Sequence, residues 1–225
     1  MTDTTWTNWS GEQTCTPRQF HRPSTEEQLQ TIVADANEAG KTVRVAGAGH
    51  SFSPVVPTRD ELISLEHYTG LVDVDEDEQT ATVRAGTPLW ELNELLDAHG
   101  LAMENLGDVD RQSVAGALIA GTHGTGTGLG ILATQIRGIR LITADGEPLE
   151  LTPEDSERFK AAQVSLGALG VVSTLTLDLE PALACNSAAT RCHSRRFSRY
   201  FPSSPSATAT SSSSGFPTPR TPSSR

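Results

Sequence analysis

Thr42-Val43-Arg44-Val45-Ala46 reads as a short buried strand, and it runs with no polar linker into Gly47-Ala48-Gly49-His50-Ser51. Glycine and alanine at a strand end let backbone N–H groups approach a ligand closely, and phosphate is the ligand such loops usually receive. His50 places an imidazole beside whatever the loop holds. Together they point to a cofactor that carries both a diphosphate and a reactive ring. The loop is not a Walker A sequence, because no Gly-Lys-Ser/Thr follows. It is not a Rossmann fingerprint either, because no third glycine opens a helix. Taken alone, it also fits an ordinary glycine turn.

Two further segments have the same character. Ser113-Val114-Ala115-Gly116-Ala117-Leu118-Ile119-Ala120 reads as a short helix of small residues, followed by a glycine- and threonine-rich loop over 121–130. Small side chains at 113, 115, 116 and 117 would leave the helix N-terminus open to an anion, and Thr122, Thr125 and Thr127 add hydroxyls beside exposed backbone. The plainer alternative is a tight helix-packing face and a flexible loop. Ser165-Leu166-Gly167-Ala168-Leu169-Gly170-Val171-Val172 sets glycines before a β-branched strand. They would bring backbone against a flat ring, or simply turn the chain from helix to strand. The other histidines add little: His21, His67 and His99 lack metal-ligand spacing, and His123 sits in the loop as a structural residue. No metal site, paired-carboxylate site or Ser/His/Asp set can be drawn from spacing.

Charge narrows the partners. All 28 acidic residues lie at or before Glu180, and residues 1–183 set 11 Lys and Arg against them, a net charge of −17. The only lysines of the chain are Lys41 and Lys160. Such a surface repels a phosphate backbone, which argues against a nucleic-acid or anionic-membrane partner. No apolar run approaches the roughly 20 residues that span a bilayer, and residues 1–10 lack a signal-peptide core. Cys15, Cys185 and Cys192 suit neither a zinc site nor a disulfide framework, so the expected setting is a reduced cytoplasm.

Local patterning predicts the elements. Ser24 and Glu27 form a capping box, and Leu29, Ile32, Val33 and Ala36 recur at helical spacing up to Gly40. Residues 62–65 read as a strand. Residues 71–74 and 80–85 alternate as a hairpin across the acidic turn 75–79. Thr87-Pro88 caps a helix over 89–98. Residues 136–143 and 148–151 pair around Asp145-Gly146, Thr152-Pro153 starts a capped helix to about 162, and 171–177 is a last strand. Interleaved helices and antiparallel pairs predict an α+β fold, with a break near residues 85–100 between two subdomains.

The three glycine segments, in this order and at these spacings, resemble the FAD-binding domain of the vanillyl-alcohol-oxidase superfamily, and within it the aldonolactone (gulonolactone and arabinonolactone) and alditol oxidases. The likeness rests on Gly49-His50-Ser51, Asn105-Leu106-Gly107, Ser113-Val114-Ala115-Gly116, Gly121-Thr122-His123-Gly124 and residues 165–172, and spans about residues 8–182. It implies a two-subdomain, PCMH-type FAD-binding domain over 8–183, divided into about 8–85 and 86–183. It implies that Ala46, Gly47, Ala48, Gly49, His50 and Ser51 wrap the FAD diphosphate. His50 would link covalently to the flavin 8α-methyl, fixing the ring and raising its reduction potential. Ser113, Gly116, Ala117, Gly121, Thr122 and Gly124 would line the isoalloxazine and ribityl side, with Val171 and Val172 near the distal part. Residues 105–113 contain no cysteine, so a second, cysteinyl link is not expected.

Gly107 falls where this family has a residue gating oxygen. Glycine there would leave the path open, which implies an oxidase rather than a dehydrogenase. Asp108 departs from the serine of alditol oxidases and tilts the resemblance toward the aldonolactone group. The implied reaction moves a hydride from an alcohol carbon of a sugar lactone or polyol to flavin N5, and then passes the electrons to molecular oxygen. The alternatives are a stand-alone flavin-binding module without catalysis, and a hydroxy-acid oxidase or dehydrogenase of the same superfamily.

Residues 184–225 break from this design. They contain 12 Ser, 5 Pro and 6 Arg, with no acidic residue and no Leu, Ile, Val or Met. Such a segment cannot bury enough apolar surface to offset its ordering entropy, so it is expected to be disordered. Codons for Phe-Glu-Phe-Phe-Trp, read one base later, encode Ser-Ser-Ser-Ser-Gly, the string at Ser211-Ser212-Ser213-Ser214-Gly215. The family carries such an aromatic stretch, so the tail reads as frameshifted, with the substrate domain and its catalytic residues missing. A natural disordered tail is the alternative.

Overall fold

The computed structural model describes residues 4–183. Two short strands come first, β1 (Trp6–Thr7) and β2 (Thr14–Cys15), paired antiparallel. β3 (Gln19–His21), α1 (Glu26–Glu38), β4 (Val43–Ala46) and β5 (Glu61–Ser64) follow. The last three strands form one sheet in the order β3-β5-β4, with β5 parallel to both neighbours. A central parallel strand is covered on both faces, and β5 is buried along its whole length. That burial reaches Glu61, whose carboxylate meets His21 Nε2 at 2.7 Å.

The rest of the chain builds a second sheet and its helices. In order these are β6 (Leu71–Asp75), β7 (Thr80–Arg84), α2 (Leu89–Asp97), β8 (Leu101–Ala102), α3 (Val114–Ile119), β9 (Ile136–Ile142), β10 (Pro148–Leu151), α4 (Glu157–Gln163), β11 (Val171–Asp178) and β12 (Glu180–Pro181). Five of these strands pair antiparallel in the order β10-β9-β11-β7-β6. Val83, Ile139, Leu175 and Leu177 from this sheet share one core with Leu89, Leu92 and Leu96 of α2 and Leu118 of α3. The architecture is α+β.

Three local expectations are corrected. α1 is capped by Thr25, whose Oγ1 accepts the Gln28 N–H, while the Ser24 N–H donates to Gln28 Oε1. Thr87 does not cap α2. It is fully buried, its hydroxyl donates to the Arg84 carbonyl and accepts from the Gly70 N–H, and Pro88 holds the cap position. The helix after Thr152 is broken at Ser156, φ 54°, into a 3-10 turn closed by a Thr152–Asp155 capping box and then α4.

The hairpin of β6 and β7, expected with the first half of the chain, joins the second sheet: Val83 sits opposite Leu175 of β11. The chain therefore changes sheet between Ser64 and Leu71 rather than near 85–100. Glu26, at the start of α1, ties that helix to the second sheet. Arg140 donates to both of its carboxylate oxygens, at 2.8 to 3.1 Å, and the Ser173 hydroxyl donates to it at 2.8 Å. Ser173 Oγ lies 2.9 Å from the Tyr68 hydroxyl. The Arg140 hydrogen bonds, and then that of Ser173, hold the Glu26 carboxyl below the usual carboxylate range. The tail over 184–225, with its disorder and frameshift readings, Cys185, Cys192 and Ser211 to Gly215, lies outside the described residues.

Candidate cofactor cleft

Ala46 ends β4 buried in the sheet, and the chain then leaves into the glycine loop. The loop opens onto a cleft of about 590 Å³, within the size range of small-molecule sites. Gly47, Ala48, Gly49, His50 and Ser51 line it on one side, and Ser113 and Gly116 of the α3 segment face them. Residues 166–172 close it, including Val171 and Val172. Three segments far apart in sequence are thus brought to one concavity.

Close approach explains two of the small residues. A Cβ on Gly47 would lie 2.3 Å from Ser113 Oγ, so the loop can touch α3 here only without a side chain. Gly170 has φ +148°, and a Cβ would meet the Ile142 carbonyl oxygen at 2.6 Å. Its backbone is pressed onto the end of β9, just before β11 begins.

The other predicted residues stand differently. Ala46 and Ala117 are buried beneath the surface and do not line the cleft. Gly121, Thr122 and Gly124 also fall outside its lining. The N–H groups of Gly121 and Thr122 donate to the Leu118 and Ala117 carbonyls and finish α3. A Cβ on Gly124 would come within 2.2 Å of the Leu106 carbonyl oxygen and 2.4 Å of Asn105 Oδ1. Gly107 lies at the same junction, where a Cβ would meet Thr122 Cγ2 at 3.1 Å. The expected open N-terminus of α3 is corrected: the Val114 and Ala115 N–H groups donate to the Thr87 and Ala85 carbonyls, so neither is free for an anion.

The sequence reading missed the N-terminal turn. Trp9 N–H donates to the Gly49 carbonyl at 2.9 Å, Asn8 Nδ2 donates to the Ser51 carbonyl at 3.0 Å, and Gln13 Nε2 donates to the Phe52 carbonyl at 3.2 Å. The turn between β1 and β2 therefore grips the loop on both sides of His50. The signal available was Trp6, Asn8 and Trp9 close together ahead of the first predicted helix. Aromatic residues in so polar a stretch need something to pack against.

The electrostatics of the cleft contrast with those of the chain. No Asp or Glu lines it, and its ionisable side chains are Lys41, Arg44 and His50. Bare loop backbone, serine hydroxyls, several valines and an acid-free wall suit a ligand with an anionic linker and a flat apolar ring. The residues present therefore fit FAD. Among the described residues no group of three or more His, Cys, Asp or Glu could hold a metal ion, and no helix is long and apolar enough to cross a membrane.

Comparison with known proteins agrees with this geometry. Residues 17–152 match a family model described as FAD binding domain. The chain is 42% identical over 176 residues to L-gulono-1,4-lactone dehydrogenase of Mycobacterium tuberculosis, covering 78% of this chain and 41% of that protein. It is 41% identical over 178 residues to alditol oxidase of a Streptomyces species, covering 78% and 42%. To D-arabinono-1,4-lactone oxidase of Eremothecium gossypii it is 36% identical over 185 residues, covering 80% and 35%. The chain spans about two fifths of the length of these curated relatives. A solved structure of alkyldihydroxyacetonephosphate synthase shares the fold, with a TM-score of 0.68 at 18% identity over 75% of this chain and 32% of that one. Since the family match covers more than half of its residues and includes the glycine loop and α3, this chain belongs to the FAD binding domain family.

Proposed function

We propose that the cleft holds FAD with the flavin at its His50 end, and that the chain is the cofactor-holding part of an enzyme oxidising an alcohol carbon of a sugar lactone or polyol. The observation that carries this reading is the meeting of three glycine segments at one acid-free cleft in a chain whose residues 1–183 carry a net charge of −17. FAD, when bound, supplies the hydride acceptor for such an alcohol. Gly47 to Ser51 bind the diphosphate through bare backbone, the Ser113 hydroxyl sits opposite, and Val171 and Val172 pack against apolar parts of the cofactor. His50 is the proposed covalent tether to the flavin.

The cleft lining offers no carboxylate base for an alcohol, which favours the second reading, a flavin-binding module without catalysis of its own. The proposed electron acceptor is molecular oxygen; Gly107, the proposed oxygen gate, packs beside the Thr122 methyl outside the cleft lining. The proposed setting is a reduced cytoplasm; Cys15 is in no disulfide among the described residues.

The test is acid precipitation of the purified 225-residue chain after incubation with FAD. Wild type should retain yellow flavin fluorescence in the denatured protein, and His50→Ala should lose it. Retention in the variant would move the tether elsewhere. No flavin bound by wild type, covalently or otherwise, would overturn the cofactor reading.

A further inference from the structure

Resting on the FAD reading above, we infer that Glu26 is a positioning residue for the cofactor cleft. By clamping α1 to a bulge in β11, it sets the spacing between two walls of the cleft. Val33 and Asn37 line the cleft from α1, and Ile142, Val171 and Val172 line it from β9 and β11. α1 connects β3 to β4 of the three-stranded sheet, whereas β9 and β11 belong to the five-stranded one. Glu26 precedes Val33 by seven residues and Asn37 by eleven, so all three share one face of the helix. At 1.5 Å per residue, Glu26 lies about 10 Å along the helix from Val33.

The other side of the clamp adjoins the strand wall. Val172 pairs with Leu141 and Thr174 with Arg140, which leaves Ser173 as the extra residue of a bulge. Bulges re-aim side chains, and here the fully buried Ser173 hydroxyl donates to the Glu26 carboxylate. Ser173 directly follows Val172 of the lining. Arg140, which donates to the same carboxylate, stands two residues before Ile142 of the lining. The Tyr68 hydroxyl, against Ser173, and Glu150, paired with Arg140, complete the ionisable groups of the clamp. Farther along α1, a Cβ on Gly146 would meet the Gln30 carbonyl oxygen at 2.9 Å, so the turn after β9 presses on the middle of the helix. The Glu26 bonds and this contact together fix how α1 lies across the second sheet.

Fluorescence titration of the full chain with FAD tests this, beside far-UV circular dichroism to establish that each variant is folded. A clamp that added stability alone would leave the affinity of the folded chain unchanged. Glu26→Gln should instead weaken FAD binding about tenfold and Ser173→Ala about threefold. The double variant should lose little more than Glu26→Gln, because both changes act through one carboxylate. Acrylamide should quench the bound flavin more readily in both single variants than in wild type. Thr82→Val removes a hydroxyl paired with Thr176 on the same sheet, outside the lining, and should change neither affinity nor quenching. If Glu26→Gln does not fold, Ser173→Ala decides. Wild-type affinity and quenching in the folded clamp variants, or equal losses in Thr82→Val, would overturn the inference while leaving the FAD reading intact. A wild-type chain that binds no FAD would remove both.

Discussion

The Trp9 indole lies stacked on the His50 imidazole, with ring centroids 5.7 Å apart and planes 25° from parallel. Phe52 meets the same indole edge-on at 6.4 Å. Trp9 is 69% exposed, so its ring adds little to the core, and the contact with His50 is what it does in this fold. The backbone bonds from Asn8 and Trp9 to the carbonyls on either side of His50 hold the loop, and the indole sets the face of the imidazole. Trp9→Ala should therefore lower global stability by about 1 kcal/mol or less and slow covalent flavin attachment several-fold, with Trp9→Phe keeping most of the rate. The measurement is the time course of acid-stable flavin fluorescence beside urea unfolding. Equal attachment rates for Trp9→Ala and wild type would sink the idea.

Gly47 and Ser113 meet across the cleft mouth. Gly47→Ala would drive a methyl into Ser113 Oγ, and the hydroxyl would have to rotate away from the loop. The expected result is weaker FAD binding in Gly47→Ala, partly recovered in Gly47→Ala/Ser113→Ala because the second change removes the clashing atom. A double-mutant cycle on FAD affinity reads this coupling. Strict additivity would place the two residues out of contact in the bound state.

Gly167 and Gly170 belong to one motif and should respond differently. Gly167 has φ +75° with nothing within 4 Å of an added Cβ, so alanine there meets only backbone strain, about 1 kcal/mol. At Gly170 the strain is joined by contact with the Ile142 carbonyl, and alanine should cost about 2 kcal/mol or more. Chemical denaturation of the two single variants compares them directly, and equal losses would contradict the packing.

Glu26 makes stability depend on pH. Arg140 and then Ser173 hold its carboxyl below the ordinary range in the folded state. Its contribution is therefore complete above the unfolded value, about 4.3, and is lost as pH falls through the lower folded value. Glu26→Gln should be about 2 kcal/mol less stable than wild type at pH 7, from loss of charge-assisted hydrogen bonds. The gap should narrow on acidification below about pH 4. Urea unfolding of both proteins at pH 7 and pH 3 supplies the comparison, and a gap independent of pH would assign Glu26 a purely steric role.

Much of the fold was legible one element at a time. The alternation in residues 71–84, the Asp145-Gly146 turn and the periodicity of α1 each state a local geometry, and the elements these three mark formed within about two residues of their expected bounds. The three glycine segments were legible for the same reason, because bare backbone is a property of composition. Partners were not legible. Alternation in β6 and β7 tells which side chains point inward but not which strand lies alongside, so the change of sheet was misplaced. Thr87 has good capping chemistry, yet burial gave its hydroxyl nearer partners at Arg84 and Gly70.

The sequence by itself determined that this chain carries strands and helices joined by bare glycine loops, one of them ending in His50. Only the tertiary structure decided that those loops share one cleft, that its walls exclude the acidic side chains covering the rest of the chain, and that an N-terminal turn grips His50. Local chemistry is written in consecutive residues. The cleft depends on contacts between residues 8–13, 41–51, 112–120 and 166–172, and such long-range contacts exist only once the core has closed.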